Sequence, residues 1–207
     1  MTIHRYQALL SSSSKICTHE QYMALHFDGT EHRQLELIGG EIYRDLVLPN
    51  DEHQVISMNL SMKIGLYLKG KKCQVFSAPF AVCLERGMGH DTTVQPDLVV
   101  VCDSSKLDKK GCNGAPDIVI EILSPSTAKL DMGVKYDKYL EAGVLEYWIV
   151  APDIRTVLQY TLKDGLYFAN NYVGDKVVTS RVLEGIEIPL VDIFPPEETE
   201  QTDDENN

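Results

Sequence analysis

Cysteine is scarce in this chain and shows no metal-binding spacing. The five cysteines, in 207 residues, form no C-x-x-C pair, and three of them lie in apolar segments, as small core residues do. We therefore expect neither a disulfide framework nor a zinc site. Long apolar runs are also missing: none approaches the roughly 20 residues that span a bilayer, and the N-terminus lacks the apolar core of a secretory signal. The sequence thus predicts a cytoplasmic protein without membrane contact.

Basic residues are outnumbered, with 19 Lys and Arg against 31 Asp and Glu and a formal net charge of −12. Six of the acids lie between residues 197 and 207, a stretch without Lys or Arg. Because the DNA backbone favours positively charged surfaces, this balance argues against strong non-specific DNA binding. Contact with nucleic acid would therefore need a local basic patch and a bound metal ion.

The length suits one domain with a sizeable core, because two compact domains would be cramped in 207 residues. Local composition divides the chain into a flexible N-terminal segment (1–16), an α/β domain (17–194) and a disordered acidic tail (195–207). We expect the domain to hold a central mixed sheet with helices on its faces and extra C-terminal hairpins.

Helices are predicted from capping signals and long apolar patterns, and strands from short apolar runs between turn residues. The predicted helices span about residues 19–25, 51–68 and 130–142. The predicted strands span 34–38, 41–47, 73–84, 98–102, 118–123, 145–150, 156–162, 166–173 and 177–183, with a polar loop over 104–114.

Two carboxylates occupy matched positions on two neighbouring apolar runs. Asp97 precedes the run Leu98–Cys102, and Glu121 lies inside the run Ile118–Leu123. An acid in a buried strand is costly unless a cation or hydrogen bonds offset its charge. Two such acids on adjacent strands predict a site for a hard cation such as Mg²⁺, with the carbonyl of Ile122 as the natural third ligand. Such an ion could orient a water molecule for attack on a phosphodiester.

A structural explanation of the same acids stays open. Asp97 would then cap a turn after Pro96, and Glu121 would pair with a lysine. Neither role requires a metal ion. The two explanations differ in whether both carboxylates converge on a common point.

Several segments, taken in order, resemble a known family. P-D, then a loop, then an acid on the next strand is similar to the PD-(D/E)XK nuclease superfamily, whose fold is that of restriction endonucleases. More narrowly, the chain resembles the Uma-two family of restriction-endonuclease-like proteins over roughly residues 17–194. The segments that carry this resemblance are Leu35-Glu-Leu-Ile-Gly-Gly-Glu41, Gln95-Pro-Asp97, Glu121-Ile-Leu-Ser-Pro-Ser126, Asp131 to Lys135, and Gly143-Val-Leu-Glu-Tyr-Trp-Ile-Val150.

The resemblance implies a restriction-endonuclease-like fold with a metal-dependent phosphodiesterase site. Asp97 and Glu121 would bind Mg²⁺ or Mn²⁺. Glu41, or less favourably Glu36, would complete the acidic cluster. The lysine of the superfamily should follow the second acid by two residues, and Leu123 stands there in this chain.

A lysine from the following helix can replace the missing one if its ammonium reaches the same point. Lys135 is the preferred candidate, with Asp131 and Tyr139 one turn to either side on the same face. Lys129 is nearer in sequence but lies at the helix entrance. The lysine would hold or activate the attacking water and offset charge in the transition state. Alternatively, Asp131 and Lys135 form only an exposed helical ion pair, which stabilises a helix weakly.

The predicted substrate-binding residues are weaker candidates around the same site. His53, at the start of the helix over 51–68, is either an exposed first-turn residue or a residue that faces a phosphate. Asp131 and Tyr139 complete this set.

The sequence therefore predicts a Mg²⁺- or Mn²⁺-dependent endonuclease that hydrolyses phosphodiester bonds of DNA. Its catalytic residues would be Lys135, Glu41, Asp97 and Glu121. Two alternatives stay open: an inert binding module that keeps the nuclease fold, which Leu123 favours, and a metal-dependent hydrolase of another phosphate ester. A homodimer also stays open, since nucleases of this fold often pair to cut both strands.

Overall fold

The structure is a computed structural model that describes residues 16–26, 35–44, 50–86, 91–125 and 127–196. The flexible segment predicted over 1–16 and the acidic tail predicted over 195–207 lie almost wholly outside these ranges. The domain predicted over 17–194 contains nearly all of the described residues.

Three longer helical segments occur in the described ranges, together with short 3-10 helices. They are α1 (His19–His26), α2 (Asp51–Leu68), and a composite of α3 (Ala128–Leu130), a π-helical turn (Asp131–Lys135) and α4 (Tyr136–Ala142); the 3-10 helices are Ser104–Lys106, Pro152–Ile154 and Leu190–Asp192. The composite, residues 128–142, is called the site helix below. Within the described residues, no helix is both long and apolar enough to cross a membrane.

Helix α2 forms where its local signals predict it. The side chain of Asn50 caps the first turn by accepting a hydrogen bond from the backbone N–H of His53, at 2.9 Å. Ile56, Leu60 and Ile64, four residues apart, lie on one face of the helix and are fully buried. This buried face packs α2 against the second sheet. The first turn of α2 therefore places His53 at the end of that sheet.

Fourteen strands form three sheets within the described residues. They are β1 (Leu35–Ile38), β2 (Glu41–Arg44), β3 (Gln74–Ser77), β4 (Val82–Glu85), β5 (Thr92–Val94), β6 (Leu98–Val101), β7 (Leu107–Asp108), β8 (Gly111–Asn113), β9 (Ile118–Ile122), β10 (Glu146–Ala151), β11 (Thr156–Lys163), β12 (Leu166–Tyr172), β13 (Val177–Thr179) and β14 (Glu187–Pro189). The first sheet has the order β2-β1-β5-β4-β8-β7, the second has the order β12-β11-β10-β9-β6-β3, and the third pairs β13 with β14. Both large sheets are mixed, because β4–β8 and β9–β10 are parallel pairs. The predicted α/β class with mixed sheets is confirmed, although two large sheets take the place of one.

The second sheet separates two apolar cores. Successive side chains of a strand point to opposite faces. Ile118 and Ile120 of β9 therefore pack in the core formed with α2, whereas Val119 packs in the core formed with the site helix and the first sheet. Glu121 follows the alternation of Val119, so its carboxylate lies between the second sheet and the site helix.

Several strand predictions need correction. The strand predicted over 73–84 is two strands, β3 and β4, which separate around Pro79 and belong to different sheets. The loop predicted over 104–114 contains a 3-10 helix and the hairpin β7–β8. Of the strand predicted over 177–183, only β13 is extended, and it pairs with β14. The sequence patterns predict neither β5 nor β14, because three-residue strands are too short to show an apolar period.

The expectation that the cysteines form no disulfide is wrong. Cys73 and Cys102 are disulfide-bonded. The register of β3 and β6 pairs Gln74 with Val101, so the two cysteines stand directly opposite each other beyond the strand ends. The remaining cysteines are free and buried: Cys17, Cys83 and Cys112.

Candidate active site

Asp97 and Glu121 face the same side of the second sheet. Strands β6 and β9 are antiparallel, with Leu98 opposite Ile120. One further step in this register places Asp97 opposite Glu121, and directly opposed residues of antiparallel strands project from the same face. The shared face that the metal-site hypothesis requires is therefore present.

Glu121 is a buried acid with one occupied oxygen. Its Oε1 accepts hydrogen bonds from the hydroxyl of Tyr139, at 2.7 Å, and from the ammonium of Lys135, at 3.1 Å. Its Oε2 has no hydrogen-bond partner in the described part of the chain. Burial raises the pKa of Glu121 to about 8; Lys135 opposes this shift, whereas the charges of Asp131 and Asp97 add to it.

Asp97 is arranged in the same way but is more open to solvent. Its Oδ2 accepts a hydrogen bond from the backbone N–H of Ile122, at 2.7 Å, and lies 3.3 Å from Nε2 of His53. Among the described residues, none donates a hydrogen bond to its Oδ1. The Asp97 side chain is 21% exposed, compared with 5% for Glu121. The open end of the cluster therefore lies at Asp97.

Lys135 lies at the centre of three carboxylates. Its Nζ is 2.9 Å from Oε2 of Glu36, 3.1 Å from Oε1 of Glu121 and 3.1 Å from Oδ1 of Asp131. Burial alone would lower the pKa of Lys135, but the charges of Glu121, Glu36 and Asp131 outweigh burial and raise it well above its usual value. Lys135 is therefore a buried ammonium.

The site helix presents three polar side chains to the cluster. Asp131, Lys135 and Tyr139 follow each other at four-residue intervals and are all buried. The π-helical turn holds the first two, and the hydroxyl of Tyr147 donates a hydrogen bond to the backbone carbonyl of Asp131, at 3.0 Å. Single π-helical turns inside α-helices often occur at functional sites. The alternative of an exposed Asp131–Lys135 pair is excluded by this burial.

The structure corrects the choice of the N-terminal acid. Glu41 is exposed, and its carboxylate accepts a hydrogen bond from the hydroxyl of Tyr43, at 3.3 Å. Glu36 instead reaches Lys135, and its Oε1 accepts a hydrogen bond from the backbone N–H of Gln95, at 2.8 Å. The acid that joins the cluster is thus Glu36. The hydrogen bond from Gln95 to Glu36 is not predicted from the sequence, although Gln95 begins the Gln-Pro-Asp segment.

The predicted substrate contacts of Asp131 and Tyr139 do not agree with their burial. Asp131 is 2% exposed and Tyr139 is fully buried, so neither has a surface to offer a substrate. His53 is not an exposed first-turn residue either, because its ring is buried against Asp97. Burial lowers the pKa of His53, but the hydrogen bond and charge of Asp97 outweigh it and raise the pKa. Tyr139 and His53 therefore contact the acids Glu121 and Asp97, whereas Asp131 contacts Lys135.

Leu123 occupies the position where the superfamily places its lysine. It is partly buried and packs in the core beside the site helix. Its backbone N–H donates to the carbonyl of Val150, at 2.8 Å, which continues the β9–β10 pairing. The only cation that reaches Glu121 among the described residues is that of Lys135.

The donor set suits a hard divalent cation. Among the described residues, no three His, Cys, Asp or Glu side chains form a metal site by themselves. The predicted ligands are two carboxylates and the carbonyl of Ile122, and Mg²⁺ commonly binds to one or two carboxylates while it keeps several waters. The open oxygens of Asp97 and Glu121 lie on one face, and the cluster holds more carboxylates than cations. A divalent cation would reduce this excess of negative charge.

Comparison with known proteins shows the family and the fold of this chain. The model of the family described as "Uma2: Putative restriction endonuclease" matches residues 19–191. The uncharacterized protein slr1290 from Synechocystis sp. (strain PCC 6803) is 25% identical over 155 residues, which cover 74% of this chain and 78% of that protein. A crystal structure described as "a putative nuclease belonging to DUF820", from Anabaena variabilis ATCC 29413, superposes with a TM-score of 0.68 and 21% identity. The superposition covers 86% of this chain and 97% of that one, and it shows a shared fold.

Proposed function

Since this chain belongs to the Uma2 family, we propose that it is a metal-dependent nuclease that hydrolyses phosphodiester bonds of DNA. The observation that carries the proposal is the placement of Asp97 and Glu121 on one face of the sheet, each with one carboxylate oxygen open. The ammonium of Lys135 lies next to the second of these acids. This combination of two acids and a lysine is the chemistry that cleavage of a phosphodiester needs.

Asp97, Glu121 and the carbonyl of Ile122 would hold Mg²⁺ or Mn²⁺. The bound ion would supply an activated water molecule and stabilise negative charge on the phosphodiester. Asp97 is the more exposed of the two acids, so a substrate phosphate would approach from its side. Glu121 is buried behind it and would fix the inner side of the ion.

Lys135 would contribute its positive charge. Because the surrounding carboxylates hold its pKa well above the usual value, Lys135 stays protonated and does not act as a general base. Glu36 and Asp131 hold its ammonium at a fixed point beside Glu121. From there it would offset negative charge that develops on the phosphate in the transition state.

One observation favours the second candidate, an inert binding module with the nuclease fold. An ammonium has three N–H groups, and the ammonium of Lys135 already lies within 3.1 Å of three carboxylates. The ammonium donates a hydrogen bond to Glu121, whereas Oδ1 of Asp131 has no hydrogen-bond partner in the described part of the chain, so the carboxylates compete with a water molecule or a phosphate for its N–H groups. Activity therefore requires that a water molecule or a phosphate compete successfully with these carboxylates, or that Lys135 act by charge alone.

A plasmid-cleavage assay with Mg²⁺, Mn²⁺ or EDTA tests the proposal. We expect wild-type protein to nick or cut DNA with either metal and EDTA to stop it. Glu121→Gln keeps the side-chain shape but removes the charge, so cleavage should fall to background while the circular-dichroism spectrum is unchanged. Glu141→Gln is the matched control, because Glu141 is exposed on the site helix and, within the described ranges, pairs only with Lys138.

The remaining outcomes separate the alternatives. Unchanged cleavage by Glu121→Gln would remove this site from the mechanism. Cleavage of a small phosphodiester such as bis(4-nitrophenyl) phosphate, without cleavage of DNA, would identify a hydrolase of another phosphate ester. No cleavage of either substrate by the wild-type protein, with any metal, would favour the inert module.

A further inference from the structure

Each of the two carboxylates proposed to bind the metal ion has one oxygen held by protein donors and one oxygen open. On Glu121, Oε1 receives the hydroxyl of Tyr139 and the ammonium of Lys135. On Asp97, Oδ2 receives the N–H of Ile122 and faces Nε2 of His53. The open atoms, with respect to the described residues, are Oε2 of the first acid and Oδ1 of the second.

We propose that Tyr139 and His53 are positioning residues that select which oxygens of Glu121 and Asp97 bind the metal ion. The inference rests on the proposed function, because it assigns roles at the same metal site. A carboxylate without fixed contacts can rotate and exchange its two oxygens. A donor that holds one oxygen fixes the orientation and leaves the other oxygen as the ligand, and such supporting contacts typically raise metal affinity by about 10- to 100-fold.

Tyr139 has the geometry and the charge for this role. It is fully buried and packs against Tyr147, with 4.8 Å between the ring centroids, so it cannot reach a substrate. Its hydroxyl makes the shortest contact of Glu121, at 2.7 Å. A hydroxyl is neutral, so it orients the carboxylate without cancelling the negative charge that attracts a cation. Lys135 contacts the same oxygen but does cancel charge.

His53 holds Asp97 from the opposite side of the sheet end. Its backbone N–H is fixed by the Asn50 cap of α2, and its ring is buried. Nδ1 has no hydrogen-bond partner among the described residues, so Asp97 is the polar group that the ring contacts. The Nε2–H donor is present both in the protonated ring and in one neutral tautomer. A residue that served only for packing would not need this donor.

The affinity of the protein for Mn²⁺, measured by isothermal titration calorimetry without DNA and at one pH, tests the proposal. Tyr139→Phe removes only the hydroxyl that reaches Glu121. Tyr147→Phe is the matched control, since Tyr147 is equally buried and, among the residues that the structure describes, its hydroxyl binds only the carbonyl of Asp131. We expect the Kd for Mn²⁺ to rise about tenfold or more in the first variant and less than about twofold in the second. The metal-free melting temperatures of the two variants should be similar.

Two variants of His53 test the role of this residue independently of Tyr139. His53→Leu should raise the Kd for Mn²⁺, whereas His53→Gln, which keeps an N–H donor, should recover most of the affinity. If Tyr139→Phe fails to fold, the Kd values of the two His53 variants decide the inference.

Three results would overturn the inference. Wild-type affinity in both Tyr139→Phe and His53→Leu would leave the proposed function standing without these positioning roles. Equal losses of Mn²⁺ affinity in Tyr139→Phe and Tyr147→Phe would show that both substitutions loosen the site helix in general. No Mn²⁺ binding by the wild-type protein would overturn the proposed function itself, and the inference with it.

Discussion

Two buried glutamates on neighbouring parallel strands, Glu121 of β9 and Glu146 of β10, have opposite surroundings. Oε1 of Glu146 accepts hydrogen bonds from the backbone N–H groups of Arg181 and Val182, at 2.6 and 3.3 Å. Its Oε2 accepts from the side chains of Trp148 and Gln159, at 3.0 and 3.3 Å. Four neutral donors therefore satisfy both oxygens of Glu146.

Glu121, by contrast, uses one oxygen and lies among other acids. The carboxylates of Glu36 and Asp131 share its single lysine, Lys135, and the charge of Asp97 adds to the rise of its pKa. A buried carboxylate with every lone pair satisfied holds a fold together. One that keeps an open oxygen beside like charges is destabilising unless a ligand compensates it, which is typical of a functional site.

The largest expected effect comes from replacing Glu146, the glutamate whose two carboxylate oxygens are both hydrogen-bonded. Glu146→Leu removes the acceptor of four donors, two of them on buried side chains. Because each buried unsatisfied donor costs about 1–3 kcal/mol, we expect the free energy of unfolding to fall by about 4 kcal/mol. Urea denaturation followed by circular dichroism measures this change.

Glu187→Leu is the control for that experiment, because Glu187 is exposed on β14. Its unfolding free energy should change by less than about 0.5 kcal/mol. A Glu146→Leu protein as stable as this control would show that the four hydrogen bonds contribute nothing.

The second effect concerns the cation of the Glu121 cluster. Lys135→Met leaves three carboxylates in a buried space without their shared ammonium. Breaking a buried ion pair from one side costs about 3–5 kcal/mol, so the metal-free variant should unfold at clearly lower urea concentrations. Millimolar Mg²⁺ should recover part of the loss, since a cation would again offset the acids.

Lys138→Met provides the comparison on the same helix. Lys138 pairs with the exposed Glu141 at the surface, so its loss should cost less than about 1 kcal/mol. If both lysine variants lost equal stability, Lys135 would be an ordinary surface cation and not the centre of the cluster.

The smallest effect distinguishes the two N-terminal acids. Glu36→Gln weakens the hold on Lys135 and should lower the metal-dependent cleavage rate about tenfold. Glu41→Gln alters only an exposed carboxylate and should leave that rate within about twofold. Initial rates of plasmid nicking at saturating Mg²⁺ measure both. A lower cleavage rate in Glu41→Gln than in Glu36→Gln would show that Glu41, and not Glu36, belongs to the site.

The sequence predicts Asp97, Glu121 and Lys135 because each carries a local signal. Asp97 precedes an apolar run and Glu121 lies inside one, and the family resemblance implies Lys135 on the following helix because Leu123 stands at the usual lysine position. The bounds of α2 are likewise predicted, since its cap and apolar face are local features.

The remaining features depend on how distant segments pair, which local patterns do not contain. Glu36 replaces Glu41 because Gln95, 59 residues away, donates its N–H to Glu36 and holds it at the cluster. The disulfide of Cys73 and Cys102 depends on the register of β3 and β6. The donors of Glu146 come from as far as 36 residues along the chain.

The most direct test is the anomalous scattering of Mn²⁺ in crystals of the wild-type protein grown or soaked with the metal. We predict one strong anomalous peak bound by Oδ1 of Asp97 and Oε2 of Glu121, at about 2.1–2.2 Å from each oxygen. The same peak should be missing from Glu121→Gln crystals. A saturating Mn²⁺ soak that gives no peak between these two carboxylates, or a peak bound elsewhere in the domain, would contradict the account.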